Sequence, residues 1–272
     1  MTPIDASIKR QYRQTDPLKV RMRTHERYEE RRIDLDAECM AALALDGDEA
    51  IIDVGCGPVR FLHYLREHGH HGALVGLDQS PAMLAEAQAL TGSSLPSVAL
   101  LRGEAGALPL RTGAFQRVVA RHMLYHVPDI PAALRAFRRA LTPDGSLLAV
   151  TNVEGYLPKI NALRDELLRA FGLPSPMPMG VSFSRQNGKA LLADAFGHVE
   201  EILLTNTLVF RQPEPIADYI ATTFVSWDLP EGSDLPERMR AWLVAEAGRR
   251  LAAEGGVWRD PKAVVLFRCS VS

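Results

Sequence analysis

Three acids carry the most specific chemistry in this chain: Asp53, Asp78 and Glu104. Asp53 ends an apolar run and is followed by Gly55 and Gly57 in Ile-Ile-Asp-Val-Gly-Cys-Gly-Pro-Val-Arg-Phe, residues 51–61. The pattern reads as a buried strand, a tight turn and a helix start. Gly55 and Gly57 admit positive φ and let a ligand lie against bare backbone. The following helix offers free N–H groups and the positive end of its dipole, which suits a carboxylate or phosphate. Asp53 adds a negative charge at the same place. That charge disfavours a dinucleotide pyrophosphate and favours a ligand bearing an ammonium or sulfonium group. Asp78 closes a second apolar run, twenty-one residues after Gly57, where an acid can accept bonds from both hydroxyls of a ribose. Glu104 follows a third run.

The stretch 53–59 resembles the first motif of class I S-adenosylmethionine-dependent methyltransferases, Asp/Glu-x-Gly-x-Gly-x-Gly, with Val59 in place of the third glycine. The nicotinamide fingerprint Gly-x-Gly-x-x-Gly fails at Arg60. The resemblance implies that Asp78 binds the adenosine ribose. It also implies that Glu104, in Gly103-Glu104-Ala105 where relatives often carry Gly-Asp-Ala, bonds the adenine amino group, with the apolar 108–110 segment supporting the base. The expected cofactor contacts are Asp53, Gly55, Gly57, Asp78, Gln79, Glu104, Ala105 and Arg121. His122 and Met123 are expected at the border of the same site.

The elements that would position these residues follow in order. Strands are predicted over 50–54, 73–77, 98–102, 115–120 and 146–151, with helices over 61–68, from 81, and 130–141 between them. Helix 130–141 turns Leu134, Phe137 and Leu141 inward and Arg135, Arg138 and Arg139 outward, and 143–145 is a turn. Strand–helix alternation implies right-handed crossovers, a parallel sheet, and a ligand at the carboxyl ends of the strands. Further on, a helix is predicted over 157–171, a proline-rich loop over 172–180 and a short strand over 183–186 leading into a helix to 196. Strands then fall over 199–205, 207–210 and 263–269, with helices over 213–227 and 235–251. Methionines 177 and 179 fall in the loop, as packing or as a pliable wall. The expected fold class is α/β: a doubly wound, Rossmann-like seven-stranded sheet, mostly parallel with an antiparallel last strand. A helical N-terminal lid (1–45) precedes a methyltransferase domain (46–272) carrying a helical cap insertion at about 152–188.

Acceptor chemistry is less sharply written. The segment 121–129 follows the fourth strand and faces the methyl group in the resembled family, so His126 is a candidate base, its unperturbed pKa lying near neutrality. It could equally be a helix-entry residue. Residues 1–32 hold nine lysines or arginines against five acids, read either as a solvated amphipathic arm or as a lid placing Tyr12, Arg21 and His25 at the pocket mouth. Asn152 and Tyr156, just past the fifth strand, join the substrate-binding set with His126. His63, His68, His70 and His71 cluster near one helix end, but no carboxylate or thiol completes a metal-ligand spacing.

Composition sets the outer bounds. Over 272 residues, 47% are apolar, and the net charge is −2, which supports a large core and argues against an obligate nucleic-acid binder. Cys39, Cys56 and Cys269 form no C-x-x-C pair, so neither a disulfide framework nor a zinc site is suggested. The N-terminus is polar, with no signal peptide, and no apolar run reaches membrane-spanning length. The expectation is a cytoplasmic methyltransferase of a small-molecule N- or O-nucleophile, using S-adenosyl-L-methionine, with no metal and no membrane partner, as a monomer or a homodimer. Three alternatives stay open: a lyase or cyclase that uses the same cofactor, an RNA or DNA methyltransferase engaging the basic arm, and a cofactor binder without catalysis.

Overall fold

The computed structural model describes residues 16–90, 98–108, 110–174, 182–227, 229–230 and 232–271. Its strands are β1 (Ile51–Val54), β2 (Leu74–Asp78), β3 (Ala99–Arg102), β4 (Phe115–Arg121), β5 (Leu141–Asn152), β6 (Gly197–Phe210) and β7 (Trp258–Val271). They form one seven-stranded sheet in the order β3-β2-β1-β4-β5-β7-β6. Neighbours from β3 across to β5 are parallel. β7 runs antiparallel to β5 and lies between β5 and β6. The order reverses between β1 and β4, which is where an open α/β sheet offers a crevice at its carboxyl ends.

The helices are α1 (Asp16–Tyr28), α2 (Leu35–Leu43), α3 (Arg60–Glu67), α4 (Pro81–Leu90), α5 (Ile130–Ala140), α6 (Pro158–Ala170), α7 (Arg185–Phe196), α8 (Glu214–Ala221) and α9 (Leu235–Ala253). α5 shows why they form where they do. Asp129 accepts from the Ala132 N–H at its start, and Pro131 sits in the first turn, where its missing N–H costs nothing. Ala133, Leu134, Phe137 and Ala140 are buried on one face, while Arg138 and Arg139 donate to the carbonyls of Ala195 and Leu108.

Several boundaries differ from the sequence expectation, each for a local reason. The 143–145 turn is a bulge inside β5: Phe115 pairs with Leu141 but Arg117 with Ser146, so 142–145 bow out of the ladder. The strand expected over 183–186 is absent. Ser184 instead caps α7, its N–H donating to Asn187 Oδ1 at 2.8 Å. The apolar runs on either side of Asn206 merge into β6, because the Asn206 amide is satisfied in place by both backbone groups of Arg31 and by the Thr207 N–H. The helix expected over 213–227 breaks into α8 and a 3₁₀ turn at Phe224–Ser226. Pro17 lies in the first turn of α1. Tyr12, Met177 and Met179 lie outside the described residues.

The chain divides into two units. A sheet unit comprises the described parts of residues 34–154, 179–204 and 264–272, and a helical unit those of 1–33, 155–178 and 205–263. This division cuts across the boundaries expected at 45/46 and 152–188. The sheet unit buries Ile52, Val54, Val118, Phe137, Leu147 and Phe267 on one side of its sheet elements and Ile51, Val59, Leu62, Leu65 and Leu148 in a second cluster. The helical unit has its own core around Leu163, Phe210, Ile216, Leu243 and Trp258. No helix among the described residues is long and apolar enough to cross a membrane.

Candidate active site

The site is built on the turn after β1. Residues 51–54 are all buried, and the turn is tied to the next strand by Gly55 N–H and Cys56 N–H donating to the Leu77 carbonyl at 2.7 and 3.1 Å. Gly55 and Gly57 both take positive φ, 71° and 54°. They differ in what surrounds them. A Cβ on Gly55 would meet the Met123 side chain at 2.8 Å, whereas one on Gly57 would meet nothing within 4 Å. The open backbone is therefore at Gly57, and Gly55 is small because Met123 lies over it.

Val59, at the third motif position, keeps the left-handed backbone that glycine would supply, with φ 54° and ψ 25°. Such a conformation is strained for a β-branched residue. Its side chain is fully buried and lies against β2, where a Cβ on Gly76 would come within 2.9 Å of Val59 Cγ1. The substitution thus fills space under the sheet and preserves the turn's path.

The three acids fall at the carboxyl ends of adjacent strands. Asp53 pairs in register with Gly76 and Asp78 with Arg102, and Glu104 lies two residues past β3. Asp78 binds the turn directly: its Oδ2 accepts from Gly57 N–H at 2.9 Å and its Oδ1 from Ser80 N–H at 2.8 Å. Burial nonetheless holds its carboxyl above the usual aspartate range, with those bonds pulling it down. A carboxylate has about four acceptor positions, so two backbone donors leave Asp78 about two positions to offer a ligand. Glu104 is exposed and precedes the 3₁₀ turn Ala105–Ala107.

Asp53 is the anomalous group. It is 2% exposed, and its Oδ1 has no hydrogen-bond partner among the described residues. Burial pushes its carboxyl up to about 7; Arg121 opposes the rise, and Asp78 and Asp36 add to it. Arg121, expected as a cofactor contact, is engaged within the protein: it pairs with Asp36 at 2.6 Å and lies 4.4 Å over the Phe61 ring. Asp36 had no signal in the sequence beyond that of a first-turn helix acid.

The acceptor candidates divide between the units. In the sheet unit, His126 ends the 3₁₀ turn Leu124–His126 and meets Tyr125 edge-on at 4.5 Å. Beside it, His122 takes φ 52°, a left-handed conformation at the end of β4. Asn152 ends β5 and pairs with Val264. In the helical unit, Tyr156 Oη lies 2.9 Å from His25 Nε2, and Tyr219 Oη lies 3.4 Å from the same nitrogen. Lys262 Nζ reaches His25 Nδ1 at 3.2 Å and pairs with Glu29. Arg21 stands four residues before His25 on α1, hence on the same face. Tyr219, Lys262 and Glu29 carry no motif and were not foreseeable from spacing. Of the four clustered histidines, His68 stacks on Tyr64 at 3.9 Å and His70 Nε2 faces the Glu49 carbonyl at 3.0 Å. Among the described residues, no three His, Cys, Asp or Glu side chains are grouped to hold a metal.

A family model described as a methyltransferase domain matches residues 52–149. A demethylmenaquinone methyltransferase of Listeria monocytogenes is 30% identical over 141 residues, 50% of this chain and 60% of that protein. A malonyl-[acyl-carrier protein] O-methyltransferase of Erwinia pyrifoliae is 30% identical over 120 residues, 44% of each chain. The chain thus spans about half the length of these curated relatives. Among solved structures, the YcgJ protein of Bacillus subtilis superposes with a TM-score of 0.59 at 16% identity, covering 87% of this chain and 98% of that one, a likeness of fold. Residues 52–149 are thus similar to a methyltransferase domain.

Proposed function

We propose that this protein transfers a methyl group from S-adenosylmethionine to a nitrogen or oxygen nucleophile of a small molecule. One observation carries the reading: a buried Asp53 oxygen without a partner beside a glycine turn that is open at Gly57. An unpaired buried carboxylate suits a cationic ligand, and an amino-acid-like cofactor brings an ammonium with it. Asp53, Gly55, Gly57, Asp78, Gln79, Glu104 and Ala105 would hold the cofactor, with Arg121 and Asp36 completing the charge balance behind Asp53. When bound, the cofactor supplies an activated methyl group on a sulfonium.

What the chain adds is alignment and proton handling. Met123, over Gly55, restricts access at the turn. His126, at the switch point of the sheet, would take the proton of a hydroxyl or amine acceptor. A carboxylate acceptor would need no base. The two relatives named above act, by their names, on a quinone precursor and on a carrier-bound malonyl group, so the similarity leaves the acceptor open. Product analysis is the test. Incubation with S-adenosylmethionine and candidate acceptors should release S-adenosylhomocysteine. Release of methylthioadenosine would favour elimination or cyclisation chemistry instead, and failure to bind S-adenosylhomocysteine would end the proposal.

A further inference from the structure

Two opposite charges lie in one layer of the sheet unit without meeting. Asp53 pairs in register with Val119 across the parallel β1–β4 ladder, and Arg121 stands two residues further along β4. Side chains two apart on a strand share a face, so both acid and arginine project into the layer that holds Ile51, Val119, Val150 and Phe61. Strand spacings put their Cα atoms roughly 8 Å apart, a span that an arginine side chain covers. Yet Asp53 Oδ1 and Arg121 Nε are both buried, and neither has a hydrogen-bond partner among the described residues. Leaving a buried donor and a buried acceptor unmade is costly. Something must draw the guanidinium elsewhere.

That something is on α2. Arg121 Nη2 is bonded to Asp36 Oδ1 at 2.6 Å, and the guanidinium lies 4.4 Å over the Phe61 ring. Both contacts favour a cation. Asp36 is itself fixed in place. Asp34 caps α2 and accepts from the N–H groups of Asp36 and Ala37 at 3.1 and 3.0 Å. Cys39, three residues on and so on the same helix face, is fully buried in the same layer as Phe61. A first-turn position also favours the ionised form of Asp36. Of the charges acting on Asp53, Arg121 is the cation, and Asp78 and Asp36 are the anions. Asp78 is held by the Gly57 and Ser80 N–H groups, which leaves Asp36 and Asp53 as the two claimants on one guanidinium.

We propose that Asp36 is a positioning residue for cofactor binding: by holding the Arg121 guanidinium on α2, it keeps the Asp53 carboxylate open for the ligand's ammonium. Without the Asp36 charge the guanidinium turns to Asp53 and shuts the ammonium out. The inference rests on the methyltransferase reading for the identity of the ligand. The exchange of Arg121 between two acids is a property of the ligand-free protein.

The test uses Asp36→Asn in the full-length protein, which keeps the shape of the side chain and removes its charge. Nitrogen-15 NMR without ligand should show the Arg121 Nε–H resonance shifting in Asp36→Asn and returning in Asp36→Asn/Asp53→Asn, the mark of a bond that forms to Asp53. Calorimetry at about pH 8, where Asp53 is ionised, then compares S-adenosylhomocysteine with its desamino analogue, which lacks only the ammonium. The wild-type protein should prefer S-adenosylhomocysteine by about tenfold or more. Asp36→Asn should lose most of that preference. Asp36→Asn/Arg121→Met should regain it, since no guanidinium is left to compete, whereas damage to packing would not be repaired by a second substitution. Equal binding of the two ligands by the wild-type protein, a preference that survives Asp36→Asn, one that is not regained in the double variant, or an Arg121 resonance indifferent to Asp53 would each overturn the proposal. If neither ligand binds the wild-type protein while the resonance moves as described, only the methyltransferase reading falls.

Discussion

A buried carboxylate oxygen without a partner is costly when charged, and Asp53 carries one. Its folded-state pKa, about 7, stands above its ordinary value of 3.8. The contribution is therefore fully present below the ordinary value and is lost as pH rises through about 7. The ligand-free protein should lose stability over that window, and Asp53→Asn should flatten this part of the profile; urea midpoints at about pH 5 and pH 8 would show it. Affinity for S-adenosylhomocysteine should move the other way, rising with pH as the ionised carboxylate gains the ligand's ammonium, and Asp53→Asn should abolish the rise. The place of Asp53 beside the glycine turn could be read from the sequence because an acid before Gly-x-Gly is a local signal. The fate of Val59 could not, because its strain is offset by a partner from another strand. Glycine at 59 would relieve about 1–2 kcal/mol of left-handed strain but forgo about 1.5–3 kcal/mol of buried side chain, so Val59→Gly should destabilise by about 1 kcal/mol. Gly76→Ala should cost about 1–3 kcal/mol through overpacking, since its Cβ would meet Cys56 Sγ and Val59 Cγ1 at 2.9 Å. The double variant should lose less than the sum, because removing Val59 frees one of the two contacts.

At the scale of elements, Asp78 is part of the turn as well as of the proposed cofactor site. The Gly57 and Ser80 N–H groups converge on it, so it staples the β1–α3 turn to the end of β2 before any cofactor arrives. Asp78→Ala should lower the stability of the ligand-free protein by about 1–3 kcal/mol, the cost of leaving buried donors unmade, as well as weakening cofactor binding. Asp78→Asn, which retains one acceptor oxygen, should recover part of the first loss. Thermal denaturation without ligand separates the two roles, and an unchanged midpoint for Asp78→Ala would mean that the turn holds itself. Strands and helices between residues 50 and 152 were legible because alternation of short β-branched runs with amphipathic segments is a periodic signal. The failures were at places where one polar residue overrides it. Asn206 reads as a strand break but is satisfied by Arg31, 175 residues away in sequence, and Ser184 reads as strand but serves as a cap.

At the scale of the whole molecule, each unit has its own core, yet β6 and β7 supply residues to both. β7 begins with Trp258 in the core of the helical unit and ends with Val265, Phe267 and Cys269 in that of the sheet unit. Between them Asp260, fully buried, accepts from the N–H groups of Lys159 and Ile160 and so caps α6. Nothing in residues 205–263 announces this, since the contacts that define the helical unit join segments far apart in the chain and carry no spacing rule. A strand common to two cores makes their unfolding one event, because neither core keeps its edge when the other loses the strand. Trp258→Ala should destabilise by about 3–5 kcal/mol and shift one transition, with far-UV circular dichroism and S-adenosylhomocysteine binding lost at the same urea concentration. Binding that outlasts the loss of helical signal would mean that the sheet unit stands alone, and that residues 34–154 with the ends of β6 and β7 suffice to hold the cofactor.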